Sequence, residues 1–183
     1  MKNFELIIDE NISLFLYQEK DAKELFELVD SNRSYFKKWL PWLNYNTKIE
    51  DTQQFILESK VNYEKGLSLN LGINYQDKIV GSVSFNTINT THKNAEIGYM
   101  LSQDYTGKGL ITKCCKALIN YGFENLELNR VTIKCATENI KSRAIPEKLG
   151  FKLEGIIEQN ERLYDCFVDH AHYGMLKENW SKK

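Results

Sequence analysis

The sequence predicts an α/β fold, with a mixed, mostly antiparallel sheet of six to seven strands covered by about four helices. Segments of two-residue hydrophobic period and segments of helical period follow each other in the order β-α-α-β-β-β-α-β-α-β-β. The chain has 183 residues, 42% of them hydrophobic, which is enough to bury a core without metal or disulfide support. We therefore expect one domain over residues 1–183.

The N-terminal part begins with a predicted strand at residues 12–17. Asp21 then starts a helix, and Glu24 follows it with the spacing of a capping box. Pro41 breaks the chain, and a second helix is predicted over residues 50–64. Four aromatic residues around this break belong either to the wall of a substrate groove or to the core: Phe36, Trp39, Trp42 and Tyr45.

A hairpin and a parallel crossover follow. Apolar residues alternate over 67–75 and again over 79–85, with Gln76-Asp77-Lys78 as the turn. A third alternating strand covers residues 95–101, and a helix is predicted from Gly109 to about Asn125. The strand after that helix, residues 130–136, should pair in parallel with the third strand because a helix connects the two.

The turn Gly107-Lys108-Gly109 joins this third strand to its helix. Successive backbone N–H groups at a helix N-terminus form a site for a phosphate anion. The dinucleotide fingerprint would require a glycine where Thr112 stands, and the Walker spacing is also absent. These mismatches exclude both nucleotide folds, while a plain strand-to-helix turn stays open as an alternative.

Charge and cysteine content exclude other classes. The net charge of −1 does not indicate a nucleic-acid-binding face. No C-x-x-C pair occurs, so we expect reduced, buried thiols and no metal site. We interpret His170 and His172 as structural residues. No signal peptide or apolar run of membrane-spanning length is present, so the expected location is the cytoplasm. The cysteines are Cys114, Cys115, Cys135 and Cys166.

Three motifs carry a resemblance to a known family: AEIGYML, the Gly107-Lys108-Gly109 turn and NIKSRAIPEKLGF. Together they resemble the GNAT superfamily of acetyl-CoA-dependent N-acetyltransferases, over nearly the full length. Within it the chain is similar to the RimJ/RimL branch, which acetylates N-termini of ribosomal proteins. The resemblance is greatest to the YdaF-type ribosomal acetyltransferases. The resemblance implies a GNAT-like fold with acetyl-CoA as cosubstrate. It implies that the acceptor is an amine. We expect no metal, no direct binding of nucleic acid and no association with a membrane, and a homodimer is compatible with the resemblance.

The resemblance also assigns the residues that bind acetyl-CoA. The backbone N–H groups of residues 99–101 would stabilise the oxyanion. Asp104 stands where the family usually has Gln or Arg, so we expect its carboxylate to point outward or to cap a turn. Backbone amides around residues 106–110 would then bind the pyrophosphate. The predicted binding residues are Tyr99, Met100, Leu101, Thr106, Gly107, Lys108, Gly109, Leu110, Ile111, Asn139 and Ser142.

Catalytic candidates follow from the same resemblance. The general base is Glu161, with Glu96 as its rival. Pro146 occupies the position at which many members carry a tyrosine acid, so Ser142 is the candidate partner of the leaving sulfur. Pro146 also lacks the N–H that would bond the Ser142 carbonyl in a helix. The helix therefore either begins near Ser142 or Arg143 or kinks there, and we expect Pro146 to help fix the orientation of Ser142.

The end of the same helix carries a signal of its own. Gly150 suits the left-handed position just beyond a helix, with Phe151 packing back as the hydrophobic residue that follows it.

The acceptor is the least determined part of the site. A protein N-terminal α-amine is the leading interpretation. A small amine (polyamine, amino sugar or toxin) and a sensor that binds acetyl-CoA without turnover are the alternatives. An acidic pocket with Glu96 and Glu158 would favour cationic acceptors.

Overall fold

The computed structural model describes residues 4–180, and its strands form one eight-stranded sheet. The α/β class is confirmed, but the strand count exceeds the predicted six to seven because the first strand was missed. The strand reads ELIID, in which three apolar residues follow each other without alternation, and the central one, Ile7, is exposed. The strands are β1 (Glu5–Asp9), β2 (Ile12–Leu16), β3 (Leu69–Tyr75), β4 (Lys78–Asn89), β5 (Asn94–Leu101), β6 (Arg130–Ala136), β7 (Lys152–Leu163) and β8 (Cys166–Leu176). Their order in the sheet is β1-β2-β3-β4-β5-β6-β8-β7.

Helices cover both faces of this sheet. On one face, α1 and α3 pack on β3, β4 and each other; on the other face, α4 packs on β4 and β5, beside α5. Two helices of four residues, α2 and α6, raise the number above the four predicted. The helices are α1 (Ala22–Ser31), α2 (Arg33–Phe36), α3 (Ile49–Glu64), α4 (Leu110–Glu124), α5 (Ile140–Lys148) and α6 (Lys177–Trp180).

The predicted parallel crossover is confirmed, and it creates the central feature of the fold. β5 and β6 pair in parallel, with α4 as the connection. Their pairing ends at Ile97 opposite Ile133, although β5 runs on to Leu101 and β6 to Ala136. Beyond Ile133, β6 stays paired with β8 alone. The two central strands therefore separate into a gap, which we call the β5–β6 gap.

Two predicted chain reversals are confirmed in detail. Gln76 and Asp77 both have positive φ (50° and 61°), which closes the β3–β4 hairpin in a two-residue turn. Gly150 has a φ of 68° after α5, and the Phe151 N–H donates to the Pro146 carbonyl at 2.9 Å. This bond is the long hydrogen bond of a glycine-terminated helix end.

The capping box predicted for the first helix is wrong. A short 3-10 turn at Glu19–Asp21 precedes α1, and the Asp21 carboxylate accepts the Gln18 N–H at 2.8 Å. Glu24 instead accepts the N–H of Ile79 at 2.8 Å. The Glu24 carboxylate therefore bonds a backbone N–H of β4, which is distant in sequence, and not the N-terminus of its own helix as the local pattern predicted.

The cysteines are all free, and three of them are buried. Cys166 is exposed, so the expectation of a buried thiol is wrong there: the residue begins β8 beside the hairpin turn. Between residues 4 and 180, no group of three or more His, Cys, Asp or Glu residues is arranged to hold a metal ion. No helix in that range is long and apolar enough to cross a membrane.

Candidate active site

The backbone of β5 directs alternate residues into the β5–β6 gap. The Ser102 N–H donates to Val80, so the even-numbered residues Gly98 and Met100 direct their backbone groups towards β4. The N–H groups of Tyr99 and Leu101 consequently face the opposite edge, where β6 has already separated. Two backbone donors therefore line the gap.

A cleft of about 370 Å³ opens beside the gap on the face covered by α4 and α5. We call it the α4–α5 cleft. Lys108 is the only predicted binding residue that does not line it. The predicted residues that do are Tyr99, Met100, Leu101, Thr106, Gly107, Gly109, Leu110, Ile111, Asn139 and Ser142.

The glycine turn forms one end of the α4–α5 cleft. Gly107 and Gly109 adopt left-handed φ values of 81° and 75°, and Gly109 is the N-cap of α4. The Thr106 amide is engaged with Gln103 at 3.2 Å, so the free donors begin after it, at the first turn of α4. The Thr106 N–H is therefore not available as one of the backbone donors expected to bind the pyrophosphate at residues 106–110.

Charged side chains around the turn divide into two groups. Asp104 is exposed and does not line the cleft, as expected. Lys108 projects away, with its Nζ 4.8 Å from the centre of the Tyr105 ring. Lys141 and Lys148, from α5, do line the cleft and bring positive charge to it.

Ser142 is held by hydrogen bonds at three atoms. Its N–H donates to Asn139 Oδ1 at 3.2 Å, because Asn139 caps α5. Its carbonyl accepts the Tyr99 hydroxyl at 2.8 Å, and its own hydroxyl donates to the Tyr99 oxygen at 3.2 Å. α5 begins at Ile140 with Pro146 inside it, so a helix start near Ser142 is wrong.

A second cleft of about 630 Å³ lies on the face covered by α1 and α3, and we call it the α1–α3 cleft. Leu40, Tyr99 and Met100 line both clefts, which therefore meet at the β5–β6 gap. The four aromatic residues near Pro41 divide between the two. Phe36 and Trp39 line the α4–α5 cleft, and Trp42 and Tyr45 line the α1–α3 cleft.

The α1–α3 cleft has a polar floor next to β5. Ser84 donates its hydroxyl to Asn86 Oδ1 at 2.6 Å. Asn86 lies against Gly98, where an added Cβ would stand 2.6 Å from Asn86 Nδ2. Gly98 in β5 therefore leaves room for the Asn86 side chain. The pairing of β4 with β5 contains a β-bulge, which lies in β4 after Phe85.

The charged residues that line the α1–α3 cleft are two carboxylates, Asp51 and Glu58, with no Lys, Arg or His among the described lining residues. Asp51 accepts the N–H groups of Thr47 and Lys48 at the start of α3. Glu58 is exposed and contacts Gln54. Neither Glu96 nor Glu158 is among the residues that line this cleft.

Glu96 lies on the same face of β5 as Gly98 and Met100. Its carboxylate forms an ion pair with Lys134 Nζ at 2.5 Å. His172 lies opposite Lys134 on β8, and burial, followed by the charge of Lys134, lowers its pKa. These side chains extend the polar surface from the α1–α3 cleft across β6.

Glu161 continues this polar surface on the β7–β8 hairpin. Its Oε2 lies 3.3 Å from His170 Nε2, and Asn160 Nδ2 lies 3.3 Å from His170 Nδ1. Glu161 and Asn160 thus contact the two ring nitrogens of the buried His170. The Tyr164 hydroxyl, at the hairpin tip, donates to the Leu40 carbonyl at 2.7 Å. The tip of the β7–β8 hairpin therefore contacts Leu40, one of the three residues that line both clefts.

Comparison with known proteins decides the family. The GNAT acetyltransferase domain matches residues 12–152. The chain belongs to the GNAT acetyltransferase family. It is therefore an acetyl-CoA-dependent N-acetyltransferase, and the predicted resemblance is confirmed.

Three relatives refine this GNAT assignment. A ribosomal-protein-serine acetyltransferase of Escherichia coli (strain K12) is 32% identical, over 92% of this chain and 94% of its own. The microcin C7 self-immunity acetyltransferase MccE, solved with acetyl-CoA and AMP, is 35% identical over 92% of this chain and 94% of its own, with a TM-score of 0.89. RimL, a ribosomal L7/L12 α-N-protein acetyltransferase solved with coenzyme A, is 26% identical over 96% and 99%, with a TM-score of 0.93.

The α4–α5 cleft of this GNAT protein fits acetyl-CoA on its own geometry. The first turn of α4 offers backbone donors to a pyrophosphate, and two lysines of α5 add charge. The gap offers the Tyr99 and Leu101 amides to an extended arm. Sequence reasoning missed Lys141 and Lys148, although both stand within the quoted NIKSRAIPEKLGF motif. It interpreted His170, which contacts Glu161, as a structural residue.

Proposed function

We propose that this chain transfers the acetyl group of acetyl-CoA to the N-terminal α-amine of a protein, and that ribosomal proteins supply its acceptor. The observation that carries the proposal is the meeting of the two clefts at Tyr99 and Met100. A thioester in one cleft and an amine in the other are then held for direct reaction across the gap. The names of the ribosomal-protein relatives support this acceptor class.

Three groups on the α4–α5 side would stabilise the reaction. Acetyl-CoA supplies the acetyl group as a thioester, so negative charge develops on the carbonyl oxygen and on the sulfur. The Tyr99 and Leu101 N–H groups are preorganised donors for the oxygen. Ser142 lines the same cleft and donates a hydrogen bond to the sulfur.

Glu161 is the proposed base that removes the proton from the attacking amine. The Glu96 carboxylate is already engaged by Lys134 in an ion pair, whereas Glu161 contacts an imidazole nitrogen of His170. Glu161 also lies on the hairpin whose tip bonds Leu40, a residue of both clefts. These contacts favour Glu161 over Glu96.

An α-amine suits this machinery better than a lysine side chain. Its pKa of about 7.7–8.0 leaves roughly a tenth to a sixth of the amine neutral at pH 7, while a lysine amine, at about 10.4, is almost entirely protonated. One carboxylate base and no metal are then sufficient for the deprotonation. The carboxylates of the α1–α3 cleft also suit an amine that arrives as an ammonium ion.

The experiment measures thiol released from acetyl-CoA with three acceptors. The first is a ribosomal-protein N-terminal peptide with a free α-amine. The second is the same peptide with a blocked N-terminus and an internal lysine, and the third is spermidine. We expect release with the first alone, and mass spectrometry should place the acetyl group on the α-nitrogen.

Two results would contradict this proposal. Release with spermidine but with neither peptide would make the chain a small-amine acetyltransferase. Acetyl-CoA binding without release for any acceptor would make it a sensor.

A further inference from the structure

The Tyr99 side chain, and not only its backbone, contacts Ser142. Its hydroxyl donates to the Ser142 carbonyl at 2.8 Å and accepts from the Ser142 hydroxyl at 3.2 Å. These bonds join β5 to α5 across the α4–α5 cleft. The same tyrosine presents its N–H to the β5–β6 gap. Tyr99 therefore supplies one of the three groups proposed to stabilise the reaction and contacts another, the Ser142 hydroxyl.

Pro146 explains why the Ser142 carbonyl accepts this bond. In an uninterrupted helix, the N–H four residues later would bond the carbonyl, and proline has none. A part-buried carbonyl without a donor loses a hydrogen bond, so a donor from outside the helix takes its place. The Tyr99 phenol is that donor.

We propose that Tyr99 is a positioning residue for acetyl transfer, whose phenol replaces the missing N–H of Pro146 and thereby aims the Ser142 hydroxyl at the leaving sulfur. This inference rests on the proposed function, in which Ser142 donates a hydrogen bond to that sulfur. Tyr99 then acts through Ser142 in addition to its backbone N–H, which was the only contribution implied by the sequence.

The surroundings keep this phenol protonated. Burial raises the pKa of Tyr99 well above its ordinary value, and the neighbouring Cys135 thiol, whose pKa burial also raises, stays neutral. A neutral phenol has one proton to donate, and the carbonyl and hydroxyl of Ser142 are both within its reach. The Ser142 hydroxyl can therefore turn to the sulfur while Tyr99 keeps hold of the residue.

The competing explanation is that Tyr99 only satisfies a carbonyl and stabilises α5. Pro146→Ala separates the two explanations because it returns an N–H that can bond the Ser142 carbonyl within the helix. We would compare Tyr99→Phe, Pro146→Ala and the double variant with the wild-type enzyme. The measurements are kcat, KM for the peptide, acetyl-CoA affinity by calorimetry, and melting temperature. Ser142→Ala defines the full loss, and Tyr63→Phe, remote from the clefts, is the matched control.

We expect Tyr99→Phe to lower kcat by about 10-fold, the effect of losing one positioning hydrogen bond, with acetyl-CoA affinity nearly unchanged. Its melting temperature should fall by roughly 2–4 °C. The double variant should regain the melting temperature but not kcat. Pro146→Ala alone should lower kcat more than acetyl-CoA affinity, because the restored backbone N–H competes with Tyr99 for the carbonyl.

Recovery of both kcat and melting temperature in the double variant would overturn the inference, since Tyr99 would then be purely structural. Wild-type kcat in Tyr99→Phe, together with a large loss in Ser142→Ala, would overturn it while leaving the proposed function intact. Wild-type kcat in Ser142→Ala would overturn the proposed role of Ser142 itself. If Tyr99→Phe fails to fold, unchanged kcat in Pro146→Ala overturns the inference.

Discussion

The two clefts are built from different parts of the chain in different ways. The α4–α5 cleft takes its binding groups from the backbone of β5, the glycine turn and the start of α5. The α1–α3 cleft takes its lining side chains from α1, α3, β3, β4, β5 and the segment around Pro41. We propose that the first cleft binds a common cosubstrate mainly through backbone atoms, which every residue possesses. The second would bind the acceptor through side chains, which substitution can change one at a time.

The variant with the largest expected effect is Glu161→Gln, which tests the proposed base. We expect kcat to fall by about 10²–10⁴-fold, the range for loss of a general base, with acetyl-CoA affinity unchanged because Glu161 does not line the α4–α5 cleft. Steady-state kinetics with the peptide acceptor, beside calorimetry with acetyl-CoA, measure the two effects. Glu96→Gln is the matched variant, and a larger loss there would make Glu96 the base.

A test of the backbone site uses two glycines with the same conformation. Gly109 and Gly66 have φ values of 75° and 68°, and an added Cβ would meet nothing within 4 Å at either position. Alanine at either site should cost about 1–2 kcal/mol of unfolding free energy, the cost of a left-handed residue with a side chain. Only Gly109→Ala, which displaces the first amides of α4, should weaken acetyl-CoA binding.

Denaturant unfolding and calorimetry on both variants give this comparison directly. Equal acetyl-CoA affinity in Gly109→Ala and Gly66→Ala would show that the turn does not bind the pyrophosphate. The backbone explanation of the α4–α5 cleft would then be wrong.

The smallest expected effect concerns the charge of the α1–α3 cleft. Glu58→Gln removes an exposed carboxylate, so KM should rise by roughly twofold for a peptide with lysines near its N-terminus, and less at high salt. Glu64→Gln, on the same helix and outside the cleft, controls for net charge. Equal KM changes in the two variants would assign the effect to general electrostatics rather than to the cleft.

The accuracy of the sequence predictions follows the same division. The Gln76–Asp77 turn, the glycine that ends α5 and the parallel crossover were predicted because each depends on a short pattern or on chain connectivity. The capping box failed because Ile79, a residue of a distant strand, bonds the Glu24 carboxylate. The carboxylates of the α1–α3 cleft were not identified from the sequence for a related reason. Glu96 pairs across the sheet with Lys134, while Asp51 and Glu58 reach the cleft from a helix.

The sequence by itself determined the α/β class and the order of the main elements, and it supplied the segments that we propose bind acetyl-CoA. Hydrophobic period, glycine conformation and proline chemistry act over a few residues and are readable in the chain. The tertiary structure alone decided which side chains meet: Tyr99 with Ser142, Glu161 with His170, and Lys134 with Glu96. These pairs lie 9 to 43 residues apart in sequence, and only the packing of the sheet and its helices brings their polar atoms within hydrogen-bonding distance.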